Sequence, residues 1–333
     1  MKLSLRQFAQ LVVSLLLALG IFWFLYKDIA IDQIKQALLQ TSFFWIGASV
    51  VISLIGYWIR AWRWKLLIEA VENQPFPTTR VFWALMFGYL INLIVPRAGE
   101  VARCGALKRT NGIPLGSLFG TVVVERTVDM VCMLGTMLLA FLLERAVFLD
   151  LLESLVDLEQ LKTSLMEWLP YLPTILLVFF GFMYWLYLRF KSSGKLLNFR
   201  QFLRQFVRGI KSVSDLKNPA TFWFSTLSIW IIYYAMMYFV AIGVPSTAAL
   251  SPSSVLMVMV MGSIGMVVPV QGGIGTFHAL VAFILMFYGI VEEEGKIFAI
   301  IVHGSQVLTI LLIGIVSSVI LAKLTWKVKP ENK

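Results

Sequence analysis

Apolar runs of about 17 residues or more, almost free of charge, recur along the whole chain, and a helix needs that length to cross ~30 Å of hydrocarbon at ~1.5 Å per residue. The runs are 8–26, 43–59, 81–95, 117–143, 169–188, 221–243, 253–268, 274–290 and 297–322. A chain built this way does not close a single core in water. Composition agrees, with 59% of the 333 residues apolar and 14% charged, against roughly half and a quarter in soluble domains. The chain is read as an all-α polytopic membrane protein. Its first run follows Lys2 and Arg6, is long for a signal-peptide core and has no clear Ala-x-Ala site, so an uncleaved anchor is expected. Cys104 and Cys132 stand alone, with no Cys-x-x-Cys and only two histidines. No disulfide framework, zinc site or other cofactor is expected.

Charge sets the topology. Segment 81–95 is short and ends in Val95-Pro96-Arg97-Ala98-Gly99-Glu100, where Pro and Gly stop the helix as charges arrive. If 81–109 enters from the cytoplasm and returns, and 253–290 does the same from outside, every loop obeys the positive-inside rule. Inside segments then carry net +2 (1–7), +2 (60–80), +3 (97–109), +7 (189–217) and +3 (323–333). Outside loops 27–42, 144–167 and 291–296 carry 0, −4 and −2. A true crossing at 81–95 would put the +7 loop outside. Both termini are therefore expected on the cytoplasmic side of the cell membrane, and the excess of Lys and Arg reports orientation, not nucleic-acid binding.

The resulting plan is six full spans plus two re-entrant helical hairpins in an inverted repeat. Residues 1–143 form the first half with hairpin 81–109, 144–167 an acidic external connector, and 168–333 the second half with hairpin 253–290. Val95, Pro96, Gly99, Ala106 and Leu107 recur as Val268, Pro269, Gly272, Ala279 and Leu280 at a constant offset of 173. Paired Gly/Pro interruptions in two halves point to a transporter's midplane site; two unrelated kinks in a helical bundle are the alternative. The basic stretches 60–72, with Arg60, Arg63 and Lys65 among tryptophans, and 197–214, with arginines at every fourth residue from Arg200 to Arg208, read as membrane-surface helices.

Candidate chemistry lies where charge enters apolar sequence. Glu125, Arg126 and Asp129 fall inside a span, with Glu125 ~12 Å and Asp129 ~18 Å from its start at Ser117. Each needs a partner or a wet cavity, as a headgroup clamp, a proton-linked carboxylate or a structural ion pair. Arg97, Glu100 and Arg103 share a stripe on the returning arm of the first hairpin, whose free N–H groups suit a phosphate; topology anchoring is the competing reading. In the second hairpin Gln271, Gly272, Gly273, Thr276 and His278 offer close backbone approach and neutral hydrogen bonds. His303 and Gln306 sit one helical turn apart in the last span, as a proton relay or as packing. Gly112, Gly116 and Gly120 have helix-packing spacing. Walker, nucleophile-elbow and His-Glu-x-x-His patterns are absent from the sequence, so ATP-driven pumping and standard hydrolase chemistry lose support.

The run from Val95 to Arg103, then Leu107, Arg109 and Gly112, then Val122-Val-Val-Glu125-Arg126-x-x-Asp129, resembles the lysylphosphatidylglycerol synthase transmembrane family. Pro269-x-x-Gly-Gly-Ile-Gly-Thr-Phe277 is similar to its second-half motif. The resemblance implies a flippase-like domain with two re-entrant hairpins, here without the family's cytosolic synthase domain. One departure is that His303 is followed by Gly304, where a common family pattern has an aromatic followed by Arg. The expected function is translocation of an anionic or aminoacylated phospholipid, or of a polyprenyl-phosphate-linked lipid. Arg97, Arg103 and Arg126 would neutralise the headgroup. The alternatives are a membrane-embedded transferase or hydrolase and a non-catalytic membrane subunit. Membrane lipids are the expected partners, with homo-oligomerisation left open.

Overall fold

The computed structural model describes residues 20–327, other than 21, 28, 74, 156–162, 164, 165, 168, 172, 175, 176, 179, 182–203 and 269. The expected spans 8–26 and 169–188 lie largely outside the described residues. Among those described there are helices and connections and no strand. In chain order the helices are α1 (Ile31–Gln40), α2 (Phe43–Glu72), α3 (Thr78–Ile94), α4 (Gly99–Asn111), α5 (Leu115–Leu143), α6 (Arg145–Leu155), α7 (Pro219–Gly243), α8 (Pro252–Val267), α9 (Thr276–Met286) and α10 (Glu292–Lys327). Segment 204–211 is also helical.

Four helices are long and apolar enough to cross a membrane: Phe43–Glu72, Leu115–Leu143, Pro219–Gly243 and Glu292–Leu324. Local sequence sets their ends. Asn73, at φ 54°, stops α2 in the left-handed region, while Asn218 accepts from the Thr221 N–H at 3.2 Å and Pro219 opens α7. Ser251 and Pro252 start α8 in the same way.

The shorter α3, α4, α8 and α9 form two helix–break–helix units. In the first, Val95–Ala98 separates α3 from α4, and Asn92 Oδ1 accepts the first free N–H of α4, that of Gly99, at 2.6 Å. The arms close so tightly that a Cβ on Gly99 would lie 2.3 Å from the Gly88 carbonyl oxygen. In the second, a single 3₁₀ turn at Gln271–Gly273 separates α8 from α9.

The packing is reciprocal. α2 lies along α7, α10 lies along α3, and α5 lies along α8. α3 ends at Ile94 and α8 at Val267, the same offset of 173 residues as the sequence echo.

Two sequence expectations change. α2 runs unbroken through 60–72, so Arg60 and Arg63 are buried within a long helix and do not mark a surface segment. A continuous apolar face, including Ser53, Gly56, Tyr57, Ala61, Trp64 and Leu67, carries the helix through these charges. Gly112 ends α4 at φ 75° and packs against nothing, whereas Gly120 does pack: a Cβ there would lie 2.3 Å from the Phe206 carbonyl oxygen and 2.6 Å from Gly209 Cα.

Gly120→Leu is therefore expected to dislodge segment 204–211 at a cost of roughly 1–3 kcal/mol. Thermal unfolding in mild detergent and protease susceptibility of that segment check it. Gly105→Ala, with open space around it, is the matched control.

Candidate functional site

The centre of the molecule is an ion cluster assembled from four helices. Glu125, on α5, has a fully buried side chain. Arg103 of α4 donates to its Oε2 at 2.8 Å, Arg60 of α2 to its Oε1 at 3.1 Å, and Arg63 stands 3.6 Å from it. Asp129, one turn on, accepts from Arg60 at 2.9 Å and Arg63 at 2.7 Å. α7 supplies neutral partners: Tyr233 Oη takes an Arg60 N–H, and Thr226 takes one from Arg63 at 3.4 Å. Arg103 lies with its guanidinium carbon 4.2 Å from the centroid of the Trp64 ring, and Trp64 donates to Thr121 at 3.0 Å. A low-dielectric interior tolerates such charge only when it is paired, and here each buried guanidinium reaches at least one carboxylate oxygen.

Arg126 differs from the other three arginines. Its side chain is 43% exposed; Nε is 3.3 Å from Glu100, and its terminal nitrogens are 3.9 Å from Asp129 and 4.0 Å from Glu125. The cluster thus joins Arg60, Arg63, Arg103 and Arg126 to Glu100, Glu125 and Asp129, four cations to three anions. The least enclosed cation faces outward.

The breaks in the two helical units meet each other. Arg97, exposed and at φ 62°, donates to the Val267 carbonyl at the end of α8. Gln271 donates to the Ile94 carbonyl at the end of α3, at 3.0 Å. Each side chain caps one of the last carbonyls of the opposing arm, groups that a helix cannot satisfy for itself. Gly272 and Gly273 form the second tip at positive φ. A Cβ on Gly272 would lie 2.8 Å from Leu93 Cδ2, so the tips are in close contact.

Behind the second tip, Gly275 N–H donates to His278 Nδ1 at 3.2 Å, and Thr276 hydroxyl donates to the Gly265 carbonyl at 2.8 Å. The His278 and His303 rings are 4.9 Å apart. Gln306 accepts from Tyr57 at 3.0 Å; Tyr57 packs on Tyr89 with ring centroids 5.5 Å apart, and Tyr89 faces the Arg60 guanidinium at 6.0 Å. A polar and aromatic path therefore joins Gln306, one helical turn along α10 from His303, to the ion cluster. Among the described residues, no group of three or more His, Cys, Asp and Glu is placed to hold a metal ion.

Residues 11–314 match the family model of the lysylphosphatidylglycerol synthase transmembrane region. The chain belongs to that family. It is a membrane protein with several apolar helices. A UPF0104 membrane protein of Methanocaldococcus jannaschii is 30% identical over 122 residues, which is 36% of this chain and 35% of that protein. No solved structure matches the chain.

Within this member of the lysylphosphatidylglycerol synthase transmembrane family, the structure brings together Glu100, Arg103, Glu125, Arg126 and Asp129. It sets Arg97 and Gln271 across the tips and groups His278 with His303. The reading of Arg103 as a topology anchor is corrected, because the residue is buried between Glu125 and Trp64. Sequence reasoning missed Arg60 and Arg63 as cluster members. Their signal was register, since both continue the buried stripe of α2 past the end of the apolar run at Ile59.

Glu125→Ala leaves Arg103 buried without its carboxylate and is expected to destabilise by about 3–5 kcal/mol. Arg126→Ala is expected to cost less than about 1 kcal/mol, because a half-exposed pair contributes little. Thermal unfolding in detergent tests the order. By the same measurement Gln271→Leu, which strands the Ile94 carbonyl, is expected to cost about 1–3 kcal/mol.

Proposed function

We propose that this protein is a flippase-like lipid translocator, and that the two helix–break–helix units are re-entrant hairpins of an inverted repeat meeting near the membrane midplane. Arms of 17, 13, 16 and 11 residues reach only about 16–26 Å at ~1.5 Å per residue, short of a ~30 Å crossing. The reciprocal capping supports the repeat: Ile94 and Val267 stand at the same place in the two halves, and each accepts from the other tip. Interrupted helices at such a place are where transporters bind their substrates. The basic loops would lie on the cytoplasmic side of the cell membrane, with both termini.

The observation that carries the reading is a cluster of four guanidinium groups and three carboxylates in which Arg126, the most exposed cation, is held only at 3.3 Å or more, by Glu100, Asp129 and Glu125. A net positive cluster at membrane depth is costly, so the site attracts an anion. Arg97, close to the free N–H groups at the start of α4, is the second contact. Arg60, Arg63 and Arg103 are held by Glu125 and Asp129 and act as scaffold. The substrate would be a lipid with a phosphate-bearing headgroup: an anionic or aminoacylated phospholipid, or a polyprenyl-phosphate-linked lipid. Membership of the lysylphosphatidylglycerol synthase transmembrane family fits a lipid-related role. A transporter is favoured over an embedded enzyme because Glu125 and Asp129 are each engaged by at least two arginines and neither is poised as a base.

The test is translocation of fluorescent phosphatidylglycerol in liposomes, read by dithionite quenching. Arg126→Ala is expected to slow transport at least about tenfold, the loss of one charge-assisted hydrogen bond, with little change in melting temperature. Equal rates in wild type, variant and protein-free liposomes would instead assign the cluster a purely structural role.

A further inference from the structure

Away from the ion cluster, where α2 ends and α5 begins, a cleft of about 740 Å³ opens against the helical segment 204–211. That volume is in the range of small-molecule sites, roughly 300–1,000 Å³. Arg204 and Arg208 line it, four residues apart on one face of their helix. Neither makes an ion pair among the described residues. The helix that carries them is seated through backbone contact, because Gly209 and Gly120 approach too closely for a side chain on either. The arginines are thus set at the mouth of the cleft by a rigid contact.

The opposite wall supplies neutral donors. α5 starts after Pro114 with no side-chain cap, so its first-turn N–H groups are free of helical partners and lie at the positive end of a 29-residue helix. Ser117 lines the cleft and is only 2% exposed, yet its hydroxyl makes no hydrogen bond among the described residues. The residue is enclosed but its oxygen opens on the cleft, so the hydroxyl is free to donate to a ligand held there. Glu72, also lining the cleft, is the single carboxylate on its walls. It leaves the site one positive charge in excess and disfavours an anion on its own side, which directs a ligand toward Ser117 and the arginines.

The geometry points to a binding site for a phosphate group in this cleft, held by Arg204 and Arg208 with the Ser117 hydroxyl and the first-turn N–H groups of α5. Guanidinium forks and a helix N-terminus recognise phosphate oxygens in the same way whether the group belongs to a membrane lipid or to a soluble molecule. The site shares no residue with the proposed translocation path.

The experiment has two arms. Protein in a non-ionic detergent is titrated with inorganic phosphate, against chloride at matched ionic strength, and its melting temperature followed. Protein in nanodiscs of phosphatidylcholine, with and without phosphatidylglycerol, is examined by native mass spectrometry for retained lipid. In whichever arm the wild type responds, Arg204→Gln with Arg208→Gln is expected to weaken binding at least about tenfold, as loss of charge-assisted hydrogen bonds implies. Arg204→Lys with Arg208→Lys should recover part of it, since lysine keeps the charge without the fork. Ser117→Ala should weaken it by a smaller factor. A response in the phosphate arm assigns the site to a soluble phosphate, and one confined to the lipid arm assigns it to a headgroup. Identical behaviour of wild type and the Gln pair in both arms, with both proteins monodisperse, overturns the proposal.

Discussion

Burying Glu125 is the constraint around which the described helices are arranged. A carboxylate in a fully enclosed position is tolerated only if cations reach it from several directions, and no single helix can present them. Arg60 and Arg63 come from α2, and Arg103 comes from α4. Tyr233 and Thr226 on α7 then complete the donors and acceptors. Four helices are locked in register by one charge. This matters more in a membrane than in water, because lipid is as apolar as leucine and offers helices no hydrophobic reason to associate. Close backbone contacts such as Gly120 on Gly209 and Gly99 on Gly88 supply most of what remains.

The two helix–break–helix units meet through similar contacts but carry different chemistry. In the first, the break is followed by charged α4 and leads into the ion cluster; in the second, by a glycine-lined turn and His278. Yet the carbonyls they cap stand at the ends of α3 and α8, 173 residues apart. Each unit thereby completes a helix end of the other. The chemical difference falls on the donors alone, a guanidinium on one side and an amide on the other.

What the sequence revealed and what it hid follow from locality. Glu125, Arg126 and Asp129 stood out because charge inside an apolar run is expensive whatever surrounds it, and the breaks after Ile94 and Val267 were signalled by Pro96 and Pro269. Arg60 and Arg63 were misread because they follow an apolar run, where charge ordinarily marks the water boundary. The buried stripe that runs on through Ala61, Trp64 and Leu67 carries the helix past them, and the partners on α5 explain why they can be buried. Tyr233 and Thr226 had no signal, being ordinary residues in an apolar helix. The tip contacts were equally silent, since a backbone carbonyl acceptor leaves no trace in the sequence. Gly112 and Gly120 shared a spacing but not a role, because one ends a helix and the other admits a neighbour.

Arg97 gives the two tips unequal mechanics. A side chain at φ 62° stores torsional energy, about 1–2 kcal/mol for an L-residue, whereas the second tip takes its positive φ at Gly272 and Gly273 and stores almost none. The hydrogen bond to Val267 helps to hold that torsion in place. The strain at the meeting of the two tips therefore sits on one side alone, and whatever loosened the Arg97 contact would relieve it there.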